Sequence, residues 1–522
     1  MISVNESAGG AGPGRKSLYR SGFFVALVSL LSKGLGYLRE LVLAYYFGTG
    51  AVVDAFRIAL TAVLLPVNVI AGSGLQNSFI PVFQTHIAKN RKRLAWLFAN
   101  QLFFILIVLG LAIFVLEYFF AERWVYLLAP GFNAVQAGHA VFFTRIMSFS
   151  VPLMMACGVA FVLNCFYIFR VPSLRPVVQN LFLLAGVLLT AYRDRFVFMG
   201  IMFPIAYVVY FAMLAGSLRK YWKFRFSSGI KRALAVWAEF IPVWLPLLGM
   251  VLVAQLNVYV DRVIGSLLAE GSVAALEYSR FLVETPGITI GMGFMSVFLP
   301  YFSELSARDD TARLRRDVEQ MLILSVYIMI PLSLVLLICS EEVIRLVYGY
   351  GKFGGASVGL TAGALKGYSI GIWASFLYIP VSKYYQAVKR NVLLLVCFTI
   401  SLAVNLALNL MLYKRYGIWG IALATSISQI LLFAILFYFM DLIDRRRIAG
   451  IILFMGASAA VSGLAAWRVM LLFDNHIART AAVVAVVAAS WLLLNLGISE
   501  IRERIFALSR VFRRGGRGDG SK

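Results

Sequence analysis

Along the 522 residues, apolar runs long enough to cross a bilayer alternate with short segments rich in Lys, Arg, Gly and Pro. A hydrocarbon core about 30 Å thick takes roughly 20 apolar residues as one helix. By that measure the chain divides into about fourteen stretches: 22–47, 51–76, 94–120, 139–166, 174–192, 196–218, 236–268, 273–302, 318–347, 357–387, 391–413, 417–442, 448–472 and 479–498. The pattern predicts an all-α polytopic membrane protein, because a lipid-exposed backbone must satisfy its own polar groups. Composition agrees: 61% of the residues are apolar and 14% charged, against about 45–50% and 25% in soluble domains. The first stretch is interrupted by Lys33, Arg39 and Glu40 and follows about twenty polar and Gly-rich residues, so it reads as a retained span and not a cleaved leader. The leading and closing tails, short of apolar residues, are expected to be disordered.

Net charge is +24. In a soluble protein that excess would suggest a nucleic-acid partner; in a membrane protein it is a statement about topology. With the N-terminus placed in the cytoplasm, one side collects Arg15, Lys16 and Arg20, the KNRKR run at 89–93, Arg170 and Arg175, the stretch at 219–232, Arg308–Arg316, Lys389 and Arg390, Arg445–Arg447 and the C-terminal tail. That is about 31 bases against about 7 opposite. Both termini are therefore expected in the cytoplasm, with an even number of spans and no nucleic-acid partner. About ten bases remain inside predicted helices, where a charge costs a few kcal/mol or more unless paired, hydrated or snorkelled.

Residue chemistry argues against catalysis. Cys157, Cys165, Cys339 and Cys397 lie inside apolar runs without CxxC spacing, and His86, His139 and His476 are scattered singly. Neither a disulfide framework nor a zinc site follows.

Two halves of the chain look alike. LPVNVIAGSGLQNSFIPVF at 65–83 and TPGITIGMGFMSVFLPYF at 285–302 each have an early proline, central glycines and an apolar-Pro-aromatic exit. The third and ninth spans are each followed by a short Gly-aromatic loop, LAPGFN at 128–133 and YGYGKFGG at 348–355. The expected organisation is a cytoplasmic tail (1–21), a six-helix N-lobe (22–218), a basic cytoplasmic linker (219–235), a six-helix C-lobe (236–442), two further helices (448–498) and a basic tail (499–522). Copies entering the membrane in the same direction make a parallel repeat about an axis along the membrane normal, a known way to build an alternating-access transporter.

The densest polar set lies in the first two spans. At 100° per residue Lys33 and Glu40 share a helix face, with Arg39 within about 120° of Lys33; Asp54 and Arg57 follow on the second span. On the eighth span Arg280 and Glu284 share a face. One reading is a cationic cavity in which Lys33, Arg39 and Arg280 meet a polyanionic head group while the acids hold those bases; guanidinium donors match phosphate oxygens. The other is a set of internal ion pairs serving lobe packing. A second cluster, Asp261, Asn405, Asn409 and Thr425, offers oxygen ligands suited to a small hard cation, or else interhelical hydrogen bonds.

The ordered series SKGLGYLRELVLAYYFGTGAVVDAFRIA (32–59), LAPGF, AEGSVAALEYSRFLVETPGITIGMGFMSVFLP (269–300), YGYGKF (348–353) and NLALNLML (405–412) resembles the MviN/MurJ lipid II flippases of the multidrug/oligosaccharidyl-lipid/polysaccharide exporter superfamily. The likeness covers about 30–500 and implies about 14 transmembrane helices, with a cationic cavity between two lobes and a lipid-tail groove formed by the last two helices. It implies flipping of an undecaprenyl-pyrophosphate-linked peptidoglycan precursor, lipid II, from the inner to the outer leaflet of a bacterial inner membrane. Other cell-wall synthesis proteins stand as candidate partners alongside membrane lipids. Lys33, Arg39, Glu40, Asp54 and Glu284 match family positions. Arg280 stands one place from the family's usual arginine, and the second-span arginine of some relatives falls at Val67, leaving Arg57 as its candidate replacement. Some relatives hold Na+ where Asp261, Asn405, Asn409, the Ile421 carbonyl and Thr425 fall here, with Asn409 in place of an acid. No other cofactor is expected. The alternatives are export of another polyprenyl-linked saccharide, such as an O-unit or teichoic precursor, and multidrug/cation antiport; a net-basic cavity argues against a cationic drug. A membrane glycosyltransferase or phosphatase would need acidic or His catalytic residues in a sizeable loop, and the largest inner loop is basic.

Overall fold

The structure, a computed structural model, describes residues 15–219, 230–285, 308–388 and 390–497, with Phe302 and Leu305. Among the described residues there are helices and no strand. Residues 1–14 of the N-terminal tail, the C-terminal tail, most of the basic linker and the second Pro-Gly motif from 286 to 301 lie outside the described residues.

Helices follow the apolar runs, and breaks follow Gly and Pro. The first run is α1 (Arg15–Phe47); the second is α2 (Ala51–Ala71) and α3 (Ser73–Ala88), separated at Gly72, whose backbone is extended. Then come α4 (Lys92–Phe119), α5 (Ala121–Leu128), α6 (Ala134–Ser148), α7 (Val151–Ala156), a short 3-10 turn and α8 (Ala160–Cys165). The half closes with α9 (Arg170–Ser173), α10 (Arg175–Arg193), α11 (Val197–Leu218) and α12 (Ile230–Ser266). Helix α13 is described over 272–285. Beyond it lie α14 (Thr311–Ile338), α15 (Ser340–Tyr348), α16 (Gly355–Ser369), α17 (Ile372–Ala387), α18 (Asn391–Tyr438), α19 (Arg445–Met470) and α20 (His476–Asn495). Among the described residues nine helical segments are long and apolar enough to cross a membrane, and α6 with the α7–α8 segment, bent by 46°, makes a tenth. At 48 residues α18 would run about 72 Å, more than twice a hydrocarbon core. Gly417 divides it in two with φ 55° and ψ −138°, a conformation open essentially to glycine alone.

The element order repeats after about 220 residues. A 28-residue helix is followed by a short amphipathic one, α4 and α5 in the first copy and α14 and α15 in the second. Both short helices carry acid in their first turn, Glu122 and Glu341 with Glu342, where the helix dipole favours it. A Gly-containing loop and a 15-residue helix come next in each copy, α6 and α16.

Contacts divide the chain into two units. The first comprises 1–274 with 350–354, and the second 275–349 with 355–522. In the first, α10 packs against α1 and α11, α2 against α6, and α12 against α2, α3 and α4. The sequence repeat assigns α12 to the second copy, whereas its packing partners belong to the first unit; repeat ancestry and packing are separate properties of a helix. In the second unit α18 packs on α16 and α17, and α14 on α17 and α19. The α19–α20 hairpin closes over α14 and α15 through Cys339, Ala466, Val483 and Val487. It is tied there by Trp491, whose ring N–H donates to the Tyr327 carbonyl at 3.0 Å. Its other face leaves Leu453, Leu464 and Leu493 exposed, as a lipid-facing surface requires.

Candidate functional site

The first unit gathers charge where α1, α2 and α10 meet. Glu40, 1% exposed, accepts from two guanidinium groups: Arg39 at 2.5 Å and Arg57 through both of its terminal nitrogens, the Nη1 contact being 3.1 Å. Arg39 also donates to Asn180 Oδ1 on α10 at 2.9 Å, and the Asn180 amide donates back to the Ser32 carbonyl at 3.1 Å. Asn180 thus binds two points on α1 about two turns apart, which fixes the face carrying Lys33 and Arg39. The Lys33 Nζ is buried without a hydrogen-bond partner among the described residues. One carboxylate therefore serves two guanidiniums on a helix that also buries an ammonium. Arg57, buried and bonded to Glu40 through both terminal nitrogens, orients that carboxylate, whereas Arg39 is shared between Glu40 and Asn180.

Asp54 does something else. Its carboxylate, 1% exposed, accepts from the backbone N–H of Gly271 and of Ala274, both at 2.7 Å, and from Gln136 Nε2 at 3.0 Å. Gln136 completes a capping box with Asn133 at the start of α6. Gly271 has φ 89°, and a Cβ there would stand 2.4 Å from the Thr49 carbonyl oxygen. Asp54 is thus the cap of α13 and a clasp for α6, with no base in its carboxylate's hydrogen-bond set. The sequence pattern grouped it with the substrate residues; the structure gives it a structural role.

In the second unit Arg280 and Glu284 pair at 2.6 Å, one turn apart on α13. They line a cavity of about 190 Å³ together with Ser375, Thr425 and Gln429. Thr425 also ends a buried chain: Asn409 Nδ2 donates to Asn405 Oδ1 at 3.1 Å, Asn405 Nδ2 to the Thr425 hydroxyl at 3.2 Å, and that hydroxyl to the Ile421 carbonyl at 3.3 Å. Four of the five residues expected for a cation are thereby linked, three of them through the expected oxygen and Asn409 through its amide nitrogen. Asp261, 2% exposed, lies on α12 in the first unit. Two amide oxygens, a hydroxyl and a carbonyl are hard neutral donors that fit a monovalent cation. Among the described residues no group of three or more His, Cys, Asp or Glu could hold a metal.

Two features had little signal in the sequence. Asn180 stands beside Gln179 as one of two amides in an apolar run, of the kind that commonly make interhelical hydrogen bonds. Glu117, 3% exposed on α4, has neither carboxylate oxygen hydrogen-bonded among the described residues; it was visible only as an isolated acid in a predicted span.

A family model described as lipid II flippase MurJ matches residues 43–493. Similar relatives named probable lipid II flippase MurJ include one from Aquifex aeolicus, 27% identical over 72% of this chain and 73% of its own. Another, from Thermotoga maritima, is 25% identical over 78% of this chain and 82% of its own. Among solved structures, an inward-closed lipid II flippase MurJ superposes with a TM-score of 0.77 at 22% identity, covering 91% of this chain and 98% of that one. An inward-facing multidrug resistance MATE transporter gives 0.64 at 14% identity, covering 82% and 98%. This multi-pass membrane protein, with paired bases buried around Glu40, belongs to the lipid II flippase MurJ family.

Proposed function

We propose that the chain flips lipid II, carrying its pyrophosphate-linked head across the cytoplasmic membrane of a bacterium while the polyprenyl tail stays in lipid. Family membership supports the substrate class. The observation that carries the reading is the cationic surplus around Glu40: Arg39, Arg57 and Lys33 against one carboxylate, with the Lys33 ammonium buried and unpartnered among the described residues. Burying an uncompensated cation costs several kcal/mol, and a pyrophosphate supplies the missing negative charge. Lys33 and Arg39 are the residues assigned to it, with Glu40, Arg57 and Asn180 holding them in place. In the second half Arg280 and Glu284 are assigned to the same head group.

Transport is by alternating access of the two halves, with both termini cytoplasmic and the α19–α20 hairpin accommodating the tail. A membrane potential negative inside favours outward movement of an anionic head, by about 2.3 kcal/mol per charge per 100 mV. Binding and release suffice; no covalent step is needed. Na+ is the proposed coupling ion, held by the oxygens of Asn405, Asn409, Thr425 and Ile421.

The test is Arg39→Ala in cells depleted of their own flippase. Charge-assisted hydrogen bonds are worth about 1.5–3 kcal/mol, so affinity for the head group should fall by about ten- to a hundredfold. Growth should fail and outer-leaflet lipid II should drop at unchanged protein level. Normal growth with normal outer-leaflet lipid II would reject the assignment.

A further inference from the structure

Away from the Glu40 cluster, the first unit contains a second polar cavity, of about 260 Å³. It lies where the α8–α9 segment faces the α2–α3 break, with Ala71 and Gln76 on one side and Asn164, Phe169 and Ser173 on the other. The turn after α3 carries exposed Lys89, Arg91, Lys92 and Arg93. Val25, which lines the cavity, precedes Arg39 by about 21 Å along α1.

The polar wall consists of Arg175, Gln76, Asn164, Ser173 and Tyr210, and no carboxylate lines it. Arg175 donates to the neutral Tyr207 hydroxyl at 3.3 Å, with its guanidinium 5.6 Å from that ring's centroid. Tyr207 in turn donates to Gln179 at 2.9 Å. Among the described residues Arg175 forms no ion pair. Asn164 adds an amide to the wall, whose Nδ2 is the group able to donate to an anion. Arg175 is the first residue of α10, whose N-terminus has no side-chain cap.

The geometry points to a binding site for a phosphate-class anion, with the Arg175 guanidinium as its principal donor and Asn164, Gln76 and Ser173 as neutral partners. A guanidinium presents paired donors matched to phosphate oxygens, and the anion would neutralise a charge that nothing else in the cavity balances. The volume lies below the 300–1,000 Å³ of drug-sized pockets, so the site suits one phosphate group and not a sugar-peptide head. Two sources share that chemistry: the head-group phosphate of a membrane phospholipid, and free phosphate.

The test uses the full chain, purified in a neutral detergent. One arm titrates inorganic phosphate against chloride at matched ionic strength and follows Tm. The other measures one-to-one phosphatidylglycerol adducts by native mass spectrometry, with phosphatidylcholine as reference. The expected result is a saturable rise in Tm or a retained phosphatidylglycerol adduct, the first identifying free phosphate and the second a head group. Affinity should fall at least tenfold in Arg175→Gln. Asn164→Asp, which sets an internal carboxylate in the same wall while keeping the side chain's shape, should abolish the response in a folded protein. No response in either arm, or variants that respond like the parent chain, would overturn the site.

Discussion

Glu40→Gln separates the two roles open to the charged cluster. The substitution keeps the side chain's shape but removes its charge and turns one acceptor into an amide donor facing guanidinium donors. Glu40 is 1% exposed and Arg57 6%, so the interaction lost is a buried one. Removing one partner of a buried ion pair costs about 3–5 kcal/mol, because the other charge is left without compensation. Arg57→Met in the Glu40→Gln background removes that stranded charge and should recover most of the loss, with a coupling of more than about 1.5 kcal/mol in the double-mutant cycle. Stability would be read from unfolding of the purified protein in detergent, and function from flipping of lipid II in reconstituted vesicles. Flipping should stay impaired in the double variant even where stability returns, because Arg39 has lost the carboxylate that positions it. A Glu40→Gln effect below about 1 kcal/mol, or additive single effects, would refute the buried-pair reasoning. Recovery of flipping together with stability would assign the cluster to packing and not to substrate.

Asp54→Ala should destabilise the protein by about 1–3 kcal/mol, since it leaves the buried Gly271 and Ala274 N–H groups and the Gln136 amide without their acceptor. Arg39→Ala, by contrast, should lower flipping with a smaller effect on unfolding, and the opposite ranking would show the roles reversed. Asn405→Leu removes the central amide of the Asn409–Asn405–Thr425 chain. If Na+ binds there, lipid II flipping by the variant should lose its dependence on a Na+ gradient while the parent chain retains it; equal Na+ dependence in both would reject the site.

Chain composition was enough to define an all-α membrane protein, because run length and burial of backbone polar groups leave a bilayer-spanning segment few alternatives. That Lys33 and Glu40 share one helix face was also readable, since helical periodicity is local. The break in α18 at Gly417 had a local cause too, because the conformation there excludes other residues. The partners of each polar side chain were not readable. Asn180 reaches Arg39 and Ser32 across 141 and 148 positions, and an amide in an apolar run looks the same whether it orders a binding face or merely joins two helices. Asp54 and Glu40 are acids in neighbouring spans, yet one accepts backbone N–H groups and the other guanidiniums. Arg175 appeared in the sequence as one more base on the cytoplasmic side, and only packing placed it in a cavity without a carboxylate. Sequence determined which segments are helical and how much charge the chain holds; tertiary structure decided which charges are neutralised, because that depends on which helices become neighbours.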